Sequence, residues 1–428
     1  MYQRLAPFWI PIRTLLLAAL IGAGAGSASA LFLVLLAYTN DTWHAYPALI
    51  WGLPLVGFVI AAVYRGYGAG VASGMNLLID AVYHPTTHRV PLRMVPLVLG
   101  STLLTHLCGG SAGREGTAVQ MAGGLTSALL RWCRIEAREA RILLMAGISA
   151  GFSSVFGTPL AGTIFGMEVL GGDTVRTRAT LPCLVAALVG DATVRWFGVD
   201  HGQYRVDRIP AVSLSLVGWS MVAGMVFAGI AVLYILLTQF IAAKSTLLIA
   251  DPRWRSAWGG VILIWMTYAV GTPAYNGLSL ALLEDAFSPT GVPSMAFVYK
   301  LLFTAVTIGL GFKGGEVTPL FVIGATAGAT MGRAVGLPMD MMAALGFVTV
   351  FGAAAKTPVA CFVLGLELFG TTILVPLSIA VFLACAMVGT RGIYHAQRVG
   401  AFDQELDTAQ QRPRLHERTQ GGRDSERR

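Results

Sequence analysis

The sequence has few charged residues. Asp, Glu, Lys and Arg make up only 12% of its 428 residues, and 55% are hydrophobic, whereas a soluble domain is usually about a quarter charged. A chain with so little charge does not present a water-soluble surface on every side. This composition excludes an ordinary soluble globular fold.

Cysteine and the motifs that bind metals or nucleotides are also scarce. The five cysteines lack C-x-x-C spacing and lie mostly in apolar runs, so we interpret them as packing residues. The seven histidines form no ligand cluster, and neither H-E-x-x-H nor a Walker motif occurs. We therefore predict no cofactor. The net charge of +8 lacks the aromatic-interleaved basic patch typical of nucleic-acid binding, so no nucleic-acid partner is predicted.

The sequence does contain continuous apolar runs, roughly ten of which are long enough to cross a lipid bilayer. Because they are continuous and not alternating, they favour helices over a β-barrel. The 51 glycines are concentrated in these runs, which favours close helix packing and broken helices that line a cavity. We predict an all-α polytopic membrane protein. The short basic linkers at 131–141 and 176–178 place both termini in the cytoplasm, and residues 395–428 read as a disordered polar tail.

The two halves of the chain resemble each other. TPLAGTIFGMEVLG from Thr158 aligns with TPVACFVLGLELFG from Thr357, and GSAGREGTAV from Gly110 aligns with GFKGGEVTPL from Gly311. Chance similarity among glycine-rich helices is the alternative, but both matches are about 200 residues apart and in the same order. We predict two transmembrane repeats, 1–200 and 201–394, with the functional site at their interface.

Each glycine-rich entry predicts a helix N-terminus within the membrane, where free N–H groups attract anions. The segment SGMNLLI from Ser73 is a third candidate. The motifs GREGT at 113–117, GGEVTP at 314–319 and PLAGTIFGME at 159–168 resemble those of the CLC family of anion channels and proton-coupled antiporters. The resemblance extends from the first helix to Tyr394. It implies two inverted-topology repeats with tilted and broken helices, and a homodimer in the bacterial inner membrane.

Several departures from the common family pattern resemble its fluoride-transporting branch. Met75 replaces the serine of the family's Gly-Ser-Gly-Ile-Pro motif, and Thr117 replaces the proline that usually follows Gly-Lys/Arg-Glu-Gly. The inner glutamate of chloride antiporters would fall at Val169, and is absent. The resemblance implies export of fluoride from the cytoplasm in exchange for protons. A chloride/proton antiporter and a passive anion channel remain alternatives.

Two acids are the predicted chemical groups. Glu115 is either a gate that carries protons or a helix-capping acid, and an acid within the membrane favours the first interpretation. Glu316 aligns with it in the second half, and the resemblance implies that it handles protons or anions on the inner side. A capping role is again the alternative.

The predicted anion-binding residues lie beside these acids or match family positions. They are Gly74, Met75, Asn76, Gly113, Arg114, Gly116, Thr117, Val317, Thr318 and Tyr394. Several have ordinary alternatives: Met75 as core packing, Asn76 as a cap, and Tyr394 as an interfacial anchor.

Four further groups are predicted to have other roles. Glu168 and Glu367 are paired by the repeat and are interpreted as structural, for instance through salt bridges to basic linkers. Lys300 and Lys313 are interpreted as interfacial or vestibule charges. An intramembrane hydrolase using Ser111, Glu115 and His106 is a different class of function, but no spacing supports it.

Overall fold

The computed structural model describes residues 12–171, 177–202, 204–207 and 209–397, and over these the chain is all-α, as predicted. The first eight helices are α1 (Ile12–Ala45), α2 (Leu53–Arg65), α3 (Met75–Tyr83), α4 (Met94–Leu107), α5 (Glu115–Trp132), α6 (Ala137–Phe156), α7 (Pro159–Glu168) and α8 (Thr177–Trp196). The next eight are α9 (Leu214–Leu248), α10 (Pro252–Val270), α11 (Leu280–Phe287), α12 (Ala296–Gly309), α13 (Val317–Val335), α14 (Met339–Ala355), α15 (Pro358–Phe369) and α16 (Leu374–Val388). Arg176 of the second basic linker and most of the predicted tail, residues 398–428, lie outside the described residues.

Fewer helices than predicted have the length of a full membrane span. Five helical stretches in the described residues are long and apolar enough to cross a bilayer. Two continuous apolar stretches of the sequence, 143–170 and 342–369, are each divided between two helices, at Gly157–Thr158 and at Lys356–Thr357. In both places a left-handed residue ends one helix, and a Thr-Pro pair begins the next, because proline suits the first turn of a helix. The Thr-Pro motifs of the repeat therefore mark helix breaks.

The helices repeat in order and approximate length. Helices α4 to α7 have 14, 18, 20 and 10 residues, and α12 to α15 have 14, 19, 17 and 12. This order matches the aligned motifs of the two halves. The boundaries at residues 200 and 394 stay predictions.

The paired glutamates join the two halves directly. Glu168, at the end of α7, accepts the backbone N–H groups of Val359 (3.0 Å) and Ala360 (2.7 Å) at the start of α15. Glu367, near the end of α15, likewise accepts the N–H groups at the start of α7, at 3.0 and 2.7 Å. The predicted structural role agrees with these contacts. Among the residues that the structure describes, the two acids cap helices and form no salt bridge with an arginine.

Small residues allow α13 and α14 to pack in close contact. A Cβ atom added at Gly324 would lie 2.0 Å from the carbonyl oxygen of Gly346, and the reverse substitution gives the same distance. Both helices are buried along most of their length. The N-terminus of α13 is consequently held inside the protein, away from lipid.

Candidate functional site

The site forms where the N-termini of α5 and α13 meet. Gly113 and Gly315, in the segments that lead into these helices, exchange two backbone hydrogen bonds of 2.6 and 2.7 Å in an isolated antiparallel bridge. A Cβ atom at Gly113 would lie 2.7 Å from Cδ of Pro319, closer than real contacts allow. Glycine therefore permits the two halves to join at this point.

Glu115 is the first residue of α5, and its carboxylate reaches across the bridge to α13. It is 1% exposed. Its Oε2 accepts the backbone N–H of Thr318 (3.0 Å), and the Thr318 hydroxyl also donates to it. Its backbone partner on α13 is therefore a residue of the opposite half of the chain. The carboxylate lies at the positive end of α13, where free N–H groups favour a negative charge.

Arg114 completes the surroundings of this carboxylate. Its Nε lies 3.3 Å from Oε1 of Glu115, and its backbone N–H donates to Oε2 at 3.3 Å. The same N–H is 3.3 Å from Oγ1 of Thr318. Arg114 is thus a direct partner of the buried acid, a contact that the sequence did not predict.

A cavity of about 200 Å³ lies beside the bridge, and Gly315 is part of its wall. It is lined by residues at the starts of three helices: Met75 of α3, Gly116 of α5, and Glu316, which immediately precedes α13. Gly74 enters α3 with a φ of +57°, which favours glycine and lets the helix begin at Met75. The three predicted helix starts therefore converge, as the sequence indicated.

The predicted anion-binding residues divide between two places. Those that line the cavity are Gly74, Met75, Asn76, Gly116, Thr117 and Tyr394, together with Glu316. Gly113, Arg114 and Thr318 lie around Glu115 and are not part of the cavity lining. Val317 is only 2% exposed and does not line the cavity. The structure brings most of the predicted residues together, but around two sites and not one.

The sequence and structure of the chain match known anion transporters. The family model described as voltage gated chloride channel matches residues 56–389. A curated relative, the chloride/fluoride channel protein of Pseudomonas syringae pv. tomato, is 43% identical over 392 residues, covering 90% of this chain and 86% of the relative. The chain belongs to the voltage-gated chloride channel (CLC) family. The resemblance stated from the motifs is confirmed.

Solved structures of the CLC family have the same fold. A CLC-type fluoride/proton antiporter superposes with a TM-score of 0.88 at 32% identity, covering 91% of this chain and 98% of that one. A slow cyanobacterial Cl⁻/H⁺ antiporter matches with a TM-score of 0.79 at 20% identity, covering 90% and 97%. The second likeness supports the fold alone.

In this CLC chain, Glu316 has a hydrogen-bond partner that the sequence did not indicate. Its Oε1 accepts the hydroxyl of Tyr234 at 2.9 Å, and Tyr234 is fully buried on α9. Glu316 makes no side-chain cap to α13, which contradicts the alternative of a capping acid. Its partial exposure and its position in the cavity wall leave it open to an ion from that side.

Asn76 and Tyr394 both belong to the wall of the cavity. The side-chain Oδ1 of Asn76 accepts the backbone N–H of Ala396 (3.0 Å), so the residue holds the segment after Tyr394. Tyr394 is 8% exposed and belongs to the cavity wall, which does not suit an interfacial anchor. Met75 is also buried, with 7% of its surface exposed. It packs in the core and also lines the cavity.

Two further polar residues of the cavity wall are Gln120 and Lys313. The Nζ of Lys313 donates to the carbonyl of Ala72 (3.1 Å) and lies 4.7 Å from the ring centroid of Tyr64. Its position agrees with a vestibule charge. Gln120, one turn after Gly116, carries no motif and was missed.

Proposed function

We propose that this chain is a proton-coupled antiporter that exports fluoride from the cytoplasm in exchange for protons. The observation that carries the proposal is the carboxylate of Glu115 at the N-terminus of α13, in a position that suits a bound anion. The 43% identical relative is described as a chloride/fluoride channel protein, and the solved fluoride/proton antiporter is 32% identical. Both names support fluoride as the ion.

The proposed cycle uses the two sides of the glycine bridge. An anion enters from the cytoplasm past Tyr394 and rests in the cavity among the helix N-termini near Met75 and Glu316. Glu115, protonated from outside, no longer favours the positive end of α13 and leaves it, so that the anion takes its place. Loss of the proton towards the inside returns the carboxylate to Thr318. Glu316, open to the cavity, is the proposed group for inner proton transfer.

The proposed assembly and orientation follow the family resemblance and the charge pattern. We infer a homodimer with one pathway in each subunit, in the bacterial inner membrane. The arginine-rich linker at 131–141 supports a cytoplasmic location for both termini. The two repeats, 1–200 and 201–394, supply one acid each.

The test is reconstituted flux of fluoride and of chloride with simultaneous proton recording. We expect an imposed proton gradient to drive fluoride movement in the parent protein. Glu115→Gln removes the titratable acid but keeps its size, so it abolishes this coupling, whereas the exposed Glu136→Gln is the matched control. A proton gradient that fails to drive fluoride in the parent contradicts the proposal.

A passive anion channel is the second candidate, because the curated relative is described as a channel. In that case fluoride or chloride runs down its own gradient without moving protons. The same vesicles distinguish the two functions, since a channel gives anion flux with no proton signal.

A further inference from the structure

Lys300 is a buried charge that the proposed cycle does not use. It lies on α12 and is 0% exposed, so the predicted interfacial or vestibule location was wrong. A lysine is almost never fully buried unless its ammonium group is paired or hydrogen-bonded. Its surroundings therefore need an explanation.

Four oxygen atoms surround the Nζ of Lys300. They are the carbonyl of Gly277 (2.8 Å), the hydroxyls of Ser111 and Ser279 (both 2.9 Å), and the carbonyl of Tyr275 (3.3 Å). A neutral amine has two N–H groups, whereas an ammonium has three, which suits a ring of four oxygens better. Among the described ranges, no carboxylate lies within ion-pair distance of it. The positive charge is solvated by dipoles but is not neutralised.

The loop at 275–279 and helix α12 also hold the chain that leads to Glu115. We call residues 109–113 the gate segment. The carbonyl of Gly109 accepts the side-chain amide of Asn276 at 2.9 Å. The backbone N–H of Ser111 donates to Thr307 Oγ1 at 3.2 Å, and the Ser111 hydroxyl binds Lys300. The gate segment ends at Gly113, which forms the bridge to Gly315.

We propose that Lys300 is a positioning residue for anion transport: its ammonium fixes the gate segment and supplies a positive charge that a transported anion balances. The inference rests on the proposed function. The charge is bound to Ser111, two residues before the glycine bridge, so chain geometry places the bridge within about 7 Å of Ser111 along the backbone. With no carboxylate beside it, the ammonium attracts an anion that replaces Glu115 at the helix ends.

A Ser–Lys hydrolytic pair is the competing explanation for this contact, since such pairs occur in hydrolases. The geometry does not favour it. Ser111 is 0% exposed, and its Oγ also lies 3.0 Å from Thr304 Oγ1. The four oxygens around Nζ suit an ammonium, and an ammonium has no lone pair with which to act as a general base. Within the described part of the chain, no hydrogen bond joins His106 to Ser111, so it does not activate Ser111 either.

The test measures initial fluoride flux against fluoride concentration in vesicles for the parent, Lys300→Met, Lys300→Gln and the exposed control Lys244→Met. A unit charge acting over roughly 10 Å in protein changes anion affinity by about tenfold. We therefore expect KM to rise about tenfold in both Lys300 variants, with a smaller change in maximal rate. Lys244→Met should keep the parent's values. Lys300→Gln retains amide hydrogen bonds to the surrounding oxygens, so it serves where Lys300→Met does not fold.

The outcomes separate this inference from the proposed function. If the parent transports fluoride and both folded Lys300 variants keep its KM within twofold, the charge has no role in anion binding and the inference is overturned. If both Lys300 variants lose maximal rate to the same extent and keep the parent's KM, the lysine is purely structural, and this result also overturns the inference. A parent without anion flux contradicts the proposed function, and the inference with it.

Discussion

Glu115 and Glu316 occupy aligned positions in the two halves, yet their carboxylates have different partners. Glu115 contacts Thr318 of the opposite half and is closed off from solvent. Glu316 contacts Tyr234 of its own half and lines the cavity. The carboxylate of Glu115 therefore spans the interface between the halves, and that of Glu316 faces the cavity. The repeated unit thus provides two acids in two environments, which is what alternate handling of protons and anions requires.

The largest expected effect comes from breaking the bridge that separates these two environments. In Gly113→Ala, the new methyl group meets Pro319 at 2.7 Å, and the helix starts must separate. Because misplacement of reacting groups by about 1 Å reduces rates on the order of a hundredfold, we expect a loss of that size in proton-coupled fluoride flux. Vesicle flux of purified protein checks it.

Gly218→Ala is the matched control, since a Cβ there meets nothing within 4 Å. If Gly113→Ala retains more than half of the parent's flux, the two acids do not depend on the close approach of the halves, and the contrast between them loses its structural basis.

The sequence predicted the local features of this site better than its long-range contacts. Glycine-rich entries and Thr-Pro pairs set helix starts locally, so the converging N-termini at Met75, Glu115 and Val317 were foreseeable. Helix α5 is harder to predict as a transmembrane segment, because it is buried in protein and carries Thr, Gln and Gly where a lipid-facing helix would be apolar.

Contacts between distant segments were not predictable in the same way. Tyr234 lies within a mostly apolar 35-residue helix, and only the packing of α9 brings it to Glu316. Lys300 was misplaced for the same reason, since its four oxygen partners come from the loop at 275–279 and from Ser111. Side-chain chemistry indicated which residues were unusual, and tertiary packing decided their partners.

A second prediction sharpens the contrast from the side of Glu316. Glu316→Gln keeps the acceptor for Tyr234 but removes the titratable group, so proton movement coupled to fluoride should fall at least about tenfold. Tyr234→Phe removes one hydrogen bond, worth about 1 kcal/mol, and leaves the acid in place, so a fall of only a few fold is expected. Simultaneous fluoride and proton recordings measure both.

The order of these two effects is the decisive result. If Tyr234→Phe impairs coupling more than Glu316→Gln, the tyrosine and not the acid carries the inner step. Coupling that survives unchanged in Glu316→Gln makes Glu316 a lining residue, and Glu115 is then the single titrating acid of the pair.

The smallest expected effects concern Glu168 and Glu367, the pair of acids whose surroundings are the same in the two halves. Glu168 and Glu367 each cap a helix of the opposite half with two hydrogen bonds. The two lengths, 3.0 and 2.7 Å, are the same for both acids. Glu168→Ala and Glu367→Ala should each lower stability by about 1 kcal/mol, the usual loss on removing a helix cap. Thermal unfolding of the purified protein in detergent measures this, with the exposed Asp285→Ala as the control.

Equality is the informative part of this last comparison. Since the two caps are related by the repeat and have the same geometry, their losses should agree within about 0.5 kcal/mol, and fluoride KM should stay at the parent's value in both variants. A large difference between them, or an altered KM in one alone, means that this pair has diverged as well. In that case, paired acids have different surroundings throughout the two halves, and the difference between Glu115 and Glu316 is not specific to the anion pathway.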